Sequence, residues 1–135
     1  MEYVLDACAI IALLNDETGA ETVAGLLVEA GEGSIRVFMS SIQALEVYYD
    51  RIYIMNRDYA DAFLGNLYVS PVVVINDVSQ SIIREAGRFK TSYSMSLADS
   101  IACATAKSLS ATLVTKDEEM KAAEEAGEFS VLWLK

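Results

Sequence analysis

The strongest constraint in this chain is a set of five short apolar runs, at residues 2–6, 35–39, 71–75, 111–115 and 129–134, rich in Val, Ile, Leu and aromatic residues. Between them lie stretches with helical periodicity, at 7–14, 18–30, 40–55, 57–68, 79–89, 96–109 and 118–126, and no hairpin turn signal joins one run to the next. Strands that cannot pair through tight turns pair through helical crossovers, which makes the sheet parallel. Runs apolar on both sides are those a sheet buries on both faces. The expected fold is α/β and doubly wound, with helices on both faces of a parallel sheet of about five strands. Local signals agree: Gly31 and Gly33 end the second helix, Ser40 caps the third with Gln43 in capping-box register, and residues 91–94 read as a polar loop.

A chain of 135 residues with 53% hydrophobic content can bury one core, so residues 1–135 are expected to form a single domain. Cys8 and Cys103 stand far apart among small or apolar neighbours, which suits two reduced thiols better than a disulfide framework. Ten basic against twenty acidic residues give a net charge of -10, so the surface as a whole repels polyanions and any nucleic acid must be held locally. The opening apolar run has a faint likeness to a lipoprotein signal at Leu5-Asp6-Ala7-Cys8, but Glu2 precedes it and Asp6 interrupts it. No stretch reaches the roughly 20 apolar residues of a membrane helix, and a cytoplasmic protein is expected.

Against this background four carboxylates are out of place. Asp6 closes the first run and Asp117 lies just past the fourth, so both fall at the C-terminal edge of a parallel sheet, where such folds bind ligands. Glu46 lies well inside the third helix, beside Leu45 and four residues from Ile42. Asp99 stands alone in a helix of small residues that looks buried nearly all round, and a buried acid must be paired, protonated or bound to a metal. Local alternatives stay open: Asp6 and Asp117 suit N-caps, and Ser96-x-x-Asp99 has capping-box spacing. As a group, four ionised carboxylates are untenable without a cation, since unit charges about 4 Å apart in a partly buried site repel by roughly 4 kcal/mol. The chain has no histidine, and all-oxygen ligation selects hard ions, Mg²⁺ or Mn²⁺. Phosphodiester hydrolysis is the chemistry such a site suits.

In order, Val4-Leu-Asp6-Ala-Cys-Ala9, Ser40-Ser-Ile-Gln-Ala-Leu-Glu46-Val47, Ser96-Leu-Ala-Asp99-Ser-Ile-Ala102 and Ala111-Thr-Leu-Val-Thr115-Lys-Asp117 resemble the blocks of PIN-domain ribonucleases. Within that superfamily they resemble the VapC-type toxins of toxin–antitoxin pairs. The resemblance implies a three-layer α/β/α fold, a homodimer and endonuclease action on RNA dependent on one or two divalent ions. It also implies inhibition by a small antitoxin whose tail lies over the active-site groove. It assigns Asp6, Glu46, Asp99 and Asp117 to the acidic metal and catalytic site, and Thr115 to the support of Asp117 or of a bound water. One position departs from the family: Ser, Thr or Asn often follows the first Asp, whereas this chain reads Ala7-Cys8-Ala9, so a supporting hydrogen bond is expected to be weakened or missing. Glu119 and Asp16 are expected to stay outside the site.

Candidate RNA contacts are few: Lys116, Arg36, and the Arg84, Arg88 and Lys90 trio, the last also explicable as a solvated helix face. Tyr48, Tyr49, Ile52 and Tyr53 open an aromatic-rich segment reaching Tyr68, part of which is expected to contact an antitoxin or a second subunit. Two other functions are compatible with clustered acids. A receiver-like phosphoacceptor domain would need an acidic pair after the first strand, which is absent, and an acceptor Asp after the third, where Asn76-Asp77 stands. A non-catalytic α/β binding module would need all four acids to be caps.

Overall fold

The computed structural model describes residues 1–135. Its elements are β1 (Glu2–Leu5), α1 (Ala7–Leu14), α2 (Ala20–Gly31), β2 (Arg36–Ser40), α3 (Ser41–Ile54), α4 (Arg57–Val69), β3 (Val73–Ile75), α5 (Gln80–Ser92), α6 (Leu97–Ser108), β4 (Thr112–Thr115), a 3-10 turn (Glu118–Met120), α7 (Lys121–Glu125) and β5 (Val131–Trp133). All strand pairs are parallel, in the order β3-β2-β1-β4-β5. Alternate strand residues face opposite sides of the sheet, which builds two cores. Leu5, Val37, Met39 and Val114 pack with α1 to α4, whereas Val4 and Leu113 pack with α5, α6 and Ala123 of α7. The result is a three-layer α/β/α sandwich. No helix is long and apolar enough to cross a membrane.

The strand order places the functional edge. The chain leaves β1 toward β2 and β3, then returns to add β4 and β5 on the other side, so the topology switches between β1 and β4. Helices diverge from the carboxyl ends of the strands at such a point and open a crevice. Asp6 and Asp117 follow those two strands, and the Asp6 N–H to Val114 O bond of 3.1 Å carries the β1–β4 ladder up to the acid.

Several boundaries differ from expectation for local reasons. The second helix starts at Ala20 because Gly19 has φ 96°; a Cβ there would lie 2.7 Å from Leu134 Cβ, so the end of the chain packs directly on this turn. α5 runs to Ser92 through most of the expected loop, where the Thr91 hydroxyl donates 2.9 Å to Gly87 O. The acidic segment 118–126 is a 3-10 turn followed by five residues of α-helix. Ser40 caps α3 by accepting from Ile42 N, but Gln43 does not close a capping box; its side chain turns inward to α6.

Candidate active site

Asp6 is the N-cap of α1 and is buried, and its two oxygens are used differently. Oδ1 accepts from Ala7 N at 2.8 Å, which satisfies the helix end, while Oδ2 accepts from the Thr115 hydroxyl at 2.8 Å. Capping and site-building are therefore not exclusive for this residue. The same Thr115 oxygen accepts from Asp117 N at 3.0 Å, so one buried hydroxyl at the end of β4 fixes the acids of both central strands. Asp117 caps the 3-10 turn through Oδ1, which accepts from Glu119 N at 3.0 Å.

Asp99 resolves the capping-box alternative. Ser96 Oγ caps α6 by accepting from Asp99 N at 3.1 Å, but the return bond is absent. Ser96 N donates instead to Glu119 Oε1 at 3.2 Å, leaving the buried Asp99 carboxyl free to meet Asp6 and Asp117. One carboxylate oxygen from each of Asp6, Asp99 and Asp117 lies within 4.8 Å of the others. Glu46, half-buried on α3, lines the same cavity of about 250 Å³, together with Cys8, Tyr49 and Asp50.

The charges are mutually frustrated. Burial, contacts with Glu119 and the negative charges of Asp6 and Asp117 push the Asp99 carboxyl up to about 9. Burial also raises Asp6, outweighing its hydrogen bonds from Thr115, Cys8 and Ala7. Glu46 is raised by burial and then by Asp6 and Asp117. The nearest cations are engaged elsewhere: Lys116 Nζ lies 2.8 Å from Glu17 Oε1, and the buried Arg51 bonds Asp50 at 2.6 Å and Asn15 at 2.9 Å. An all-carboxylate donor set without a protein counter-charge fits a hard divalent cation.

One expectation at the site is met in its weaker form, and another is corrected. The supporting bond after Asp6 is weakened, not missing, because sulfur makes it: Cys8 Sγ donates to Asp6 Oδ2 at 3.4 Å, touches Thr115 Oγ1 at 3.3 Å and accepts from Lys116 N at 3.4 Å. Burial and Asp6 push this thiol up to about 12, so it stays a neutral donor. Glu119 does reach the site, bonded to Ser96 N and in contact with Asp99, which together hold it below the usual glutamate range. Asp16 lies in the turn after α1 at φ 53° and does not line the cavity.

Among the basic candidates, Lys116 directly precedes Asp117. Arg36 opens β2 at the opposite edge of the sheet, 2.6 Å from Glu2, which removes it from the site. Arg84 bonds Gln80 at 3.3 Å, and Arg88 forks onto Glu85 and Glu128. Lys90 is exposed and close enough to Glu119 to lower it. Of the aromatics, Tyr48 donates to Asp61 at 2.5 Å and Ile52 is half-buried, while Tyr49 on the cavity rim stacks edge-on to the exposed Tyr53 with centroids 6.3 Å apart. Asp77 is exposed and borders a separate pocket with Ser79 and Leu109, away from the place a receiver-like phosphoacceptor would need.

Residues 3–126 match the model of the family described as PIN domain. No curated protein sequence matches the chain. Among solved structures it is similar to VapBC2 from Rickettsia felis bound to a DNA fragment from its promoter, with 18% identity and a TM-score of 0.76 over 100% of both chains. VapBC-1 from nontypeable Haemophilus influenzae aligns at 22% identity and a TM-score of 0.71 over 98% of each chain. DNA-bound VapBC from Salmonella typhimurium aligns at 16% identity and a TM-score of 0.71, covering 98% of this chain and 97% of that one.

Proposed function

The chain belongs to the PIN domain family, and on that premise we propose that it is an Mg²⁺- or Mn²⁺-dependent endoribonuclease acting as the VapC-type toxin of a toxin–antitoxin pair. The observation that carries this reading is the convergence of Asp6, Asp99 and Asp117 within 4.8 Å, with Glu46 in the same cavity and no protein cation between them. Asp6, Asp99 and Asp117 would hold one or two ions. When bound, such an ion neutralises charge on a scissile phosphate and lowers the pKa of water.

The chain's own residues supply position and a base. Thr115 and Cys8 fix Asp6 Oδ2, and Thr115 also sets the backbone at Asp117. Glu46, made more basic than an exposed glutamate by burial and by its acidic neighbours, orients and deprotonates the water that attacks in line. Lys116, just past β4 and beside Asp117, is a candidate phosphate contact.

Solved relatives are toxin–antitoxin complexes, and an apolar groove of about 280 Å³ suits the apolar helix of a small antitoxin. Ile10 and Leu13 of α1, Leu27 of α2 and Tyr59 and Phe63 of α4 line it. The exposed Tyr49 and Tyr53 suit contact with that partner or with the second subunit of a homodimer. Cleavage of an RNA pool in Mg²⁺ or Mn²⁺ tests the core of the reading. Asp6→Asn and Asp99→Asn should each lower the rate at least about a hundredfold while the fold persists; unchanged cleavage by either variant refutes the assignment.

A further inference from the structure

Four acids meet in the cavity, two from strand ends and two from helices, and the two strand-borne acids are tied through Thr115. The helix-borne pair has a tie of its own. Gln43, fully buried on α3 one turn before Glu46, donates from Nε2 to the Ala98 carbonyl at 2.7 Å. Ala98 immediately precedes Asp99, so this one amide joins the helix of Glu46 to the first turn that carries Asp99.

The other half of the amide finds no such use. Gln43 Oε1 is buried and meets no protein donor. An unpaired buried acceptor destabilises a fold, whereas an apolar side chain of similar volume avoids that cost. Core stability therefore favours Leu or Met here, and the donor bond is what distinguishes glutamine. We propose that Gln43 is a positioning residue, which sets Asp99 against Glu46 for divalent-ion binding, and this rests on the metal-site reading above.

The role separates from a merely structural one because its two effects have opposite signs. Gln43→Met, with Gln43→Leu as a second shape, should leave the melting temperature of the metal-free protein equal to or above that of wild type. The affinity for Mn²⁺, titrated on folded protein at room temperature, should fall about tenfold, the lower end of what loss of an outer-shell partner produces. The Mn²⁺-induced rise in melting temperature should shrink in parallel. An unchanged Mn²⁺ affinity in both variants overturns the proposal while leaving the metal site intact. A lowered melting temperature with unchanged affinity does the same and makes Gln43 a structural staple. Wild type that shows no Mn²⁺ binding overturns the metal-site reading, and this proposal with it.

Discussion

An acid held against other acids is a residue whose protonation reports its surroundings, and Asp99 is the clearest case. Unfolded, it ionises near 3.8, whereas burial, Glu119, Asp6 and Asp117 hold its proton in the folded protein up to about 9. The folded state then binds the extra proton between those values. Its contribution to stability is fully present below about pH 4 and is lost as pH rises through 9. In EDTA, Asp99→Asn should flatten that fall and, at pH 8, stabilise the protein by about 1–3 kcal/mol. Urea unfolding at pH 5 and pH 8 checks it; a variant less stable than wild type at pH 8 contradicts the frustrated-acid picture. Saturating Mn²⁺ should reverse the ranking, because only wild type keeps the full ligand set. The same physics decides which residues could be read from sequence. Asp6, Glu46 and Asp99 were legible because an ionisable group within an apolar run is anomalous. Glu119 was not, because it sits in an acidic run where one more acid stands out from nothing, and its contact with Ser96 is 23 residues away. Gln43 misled for a related reason: its spacing from Ser40 is that of a local cap, while its actual partner is across the core.

Among the elements, the strands were legible in kind and order along the chain, and their ends were not. β5 covers only Val131–Trp133 of an apolar run twice as long, since a ladder ends where its partner β4 ends and not where hydrophobicity does. What fastens this edge is a polar hub that composition does not reveal. Glu128, between α7 and β5, accepts from Arg88 of α5 at 2.7 and 2.9 Å, Lys107 of α6 at 2.7 Å and Tyr93 at 2.8 Å. Arg88, Lys107 and Tyr93 hold its carboxyl down at about 2. A lowered carboxyl works in the opposite direction to Asp99: its stabilisation is present above the unfolded value of 4.5 and is lost as pH falls through about 2. Arg88 and Lys107 are 42% and 39% exposed, so solvent screens much of this attraction. Glu128→Gln should destabilise by about 1–2 kcal/mol at neutral pH and weaken the acid limb of the stability curve, both measurable by urea unfolding between pH 2 and pH 7. A loss of the same size at pH 2 and at pH 7 contradicts the charge-based account.

For the whole molecule, the net charge of -10 bears on how RNA can be held. Half of the ten cations are committed to ion pairs: Arg36 to Glu2, Arg51 to Asp50, Arg88 to Glu85 and Glu128, Lys107 to Glu128 and Lys116 to Glu17. The Lys116 pair is about as exposed as a surface ion pair gets before it counts for little, 35% and 40%, so a phosphate can displace Glu17 at modest cost. On the proposed nuclease reading, the chain would offer one or two phosphate contacts beside its acid cavity, and bound divalent ions would carry the rest of the attraction. Each phosphate neutralised on a single strand adds about -0.7 to the slope of log affinity against log salt. Binding of labelled single-stranded RNA to cleavage-deficient Glu46→Gln, at fixed Mn²⁺ and varied KCl, should give a shallow slope of about -1 per chain. Lys116→Met should bring it close to zero, and removing Mn²⁺ should weaken binding more than removing Lys116 does. A slope of about -3 or steeper contradicts this and requires an extended cationic path, which further basic side chains of this chain or a second subunit, docked through the exposed Tyr49 and Tyr53, would then have to complete.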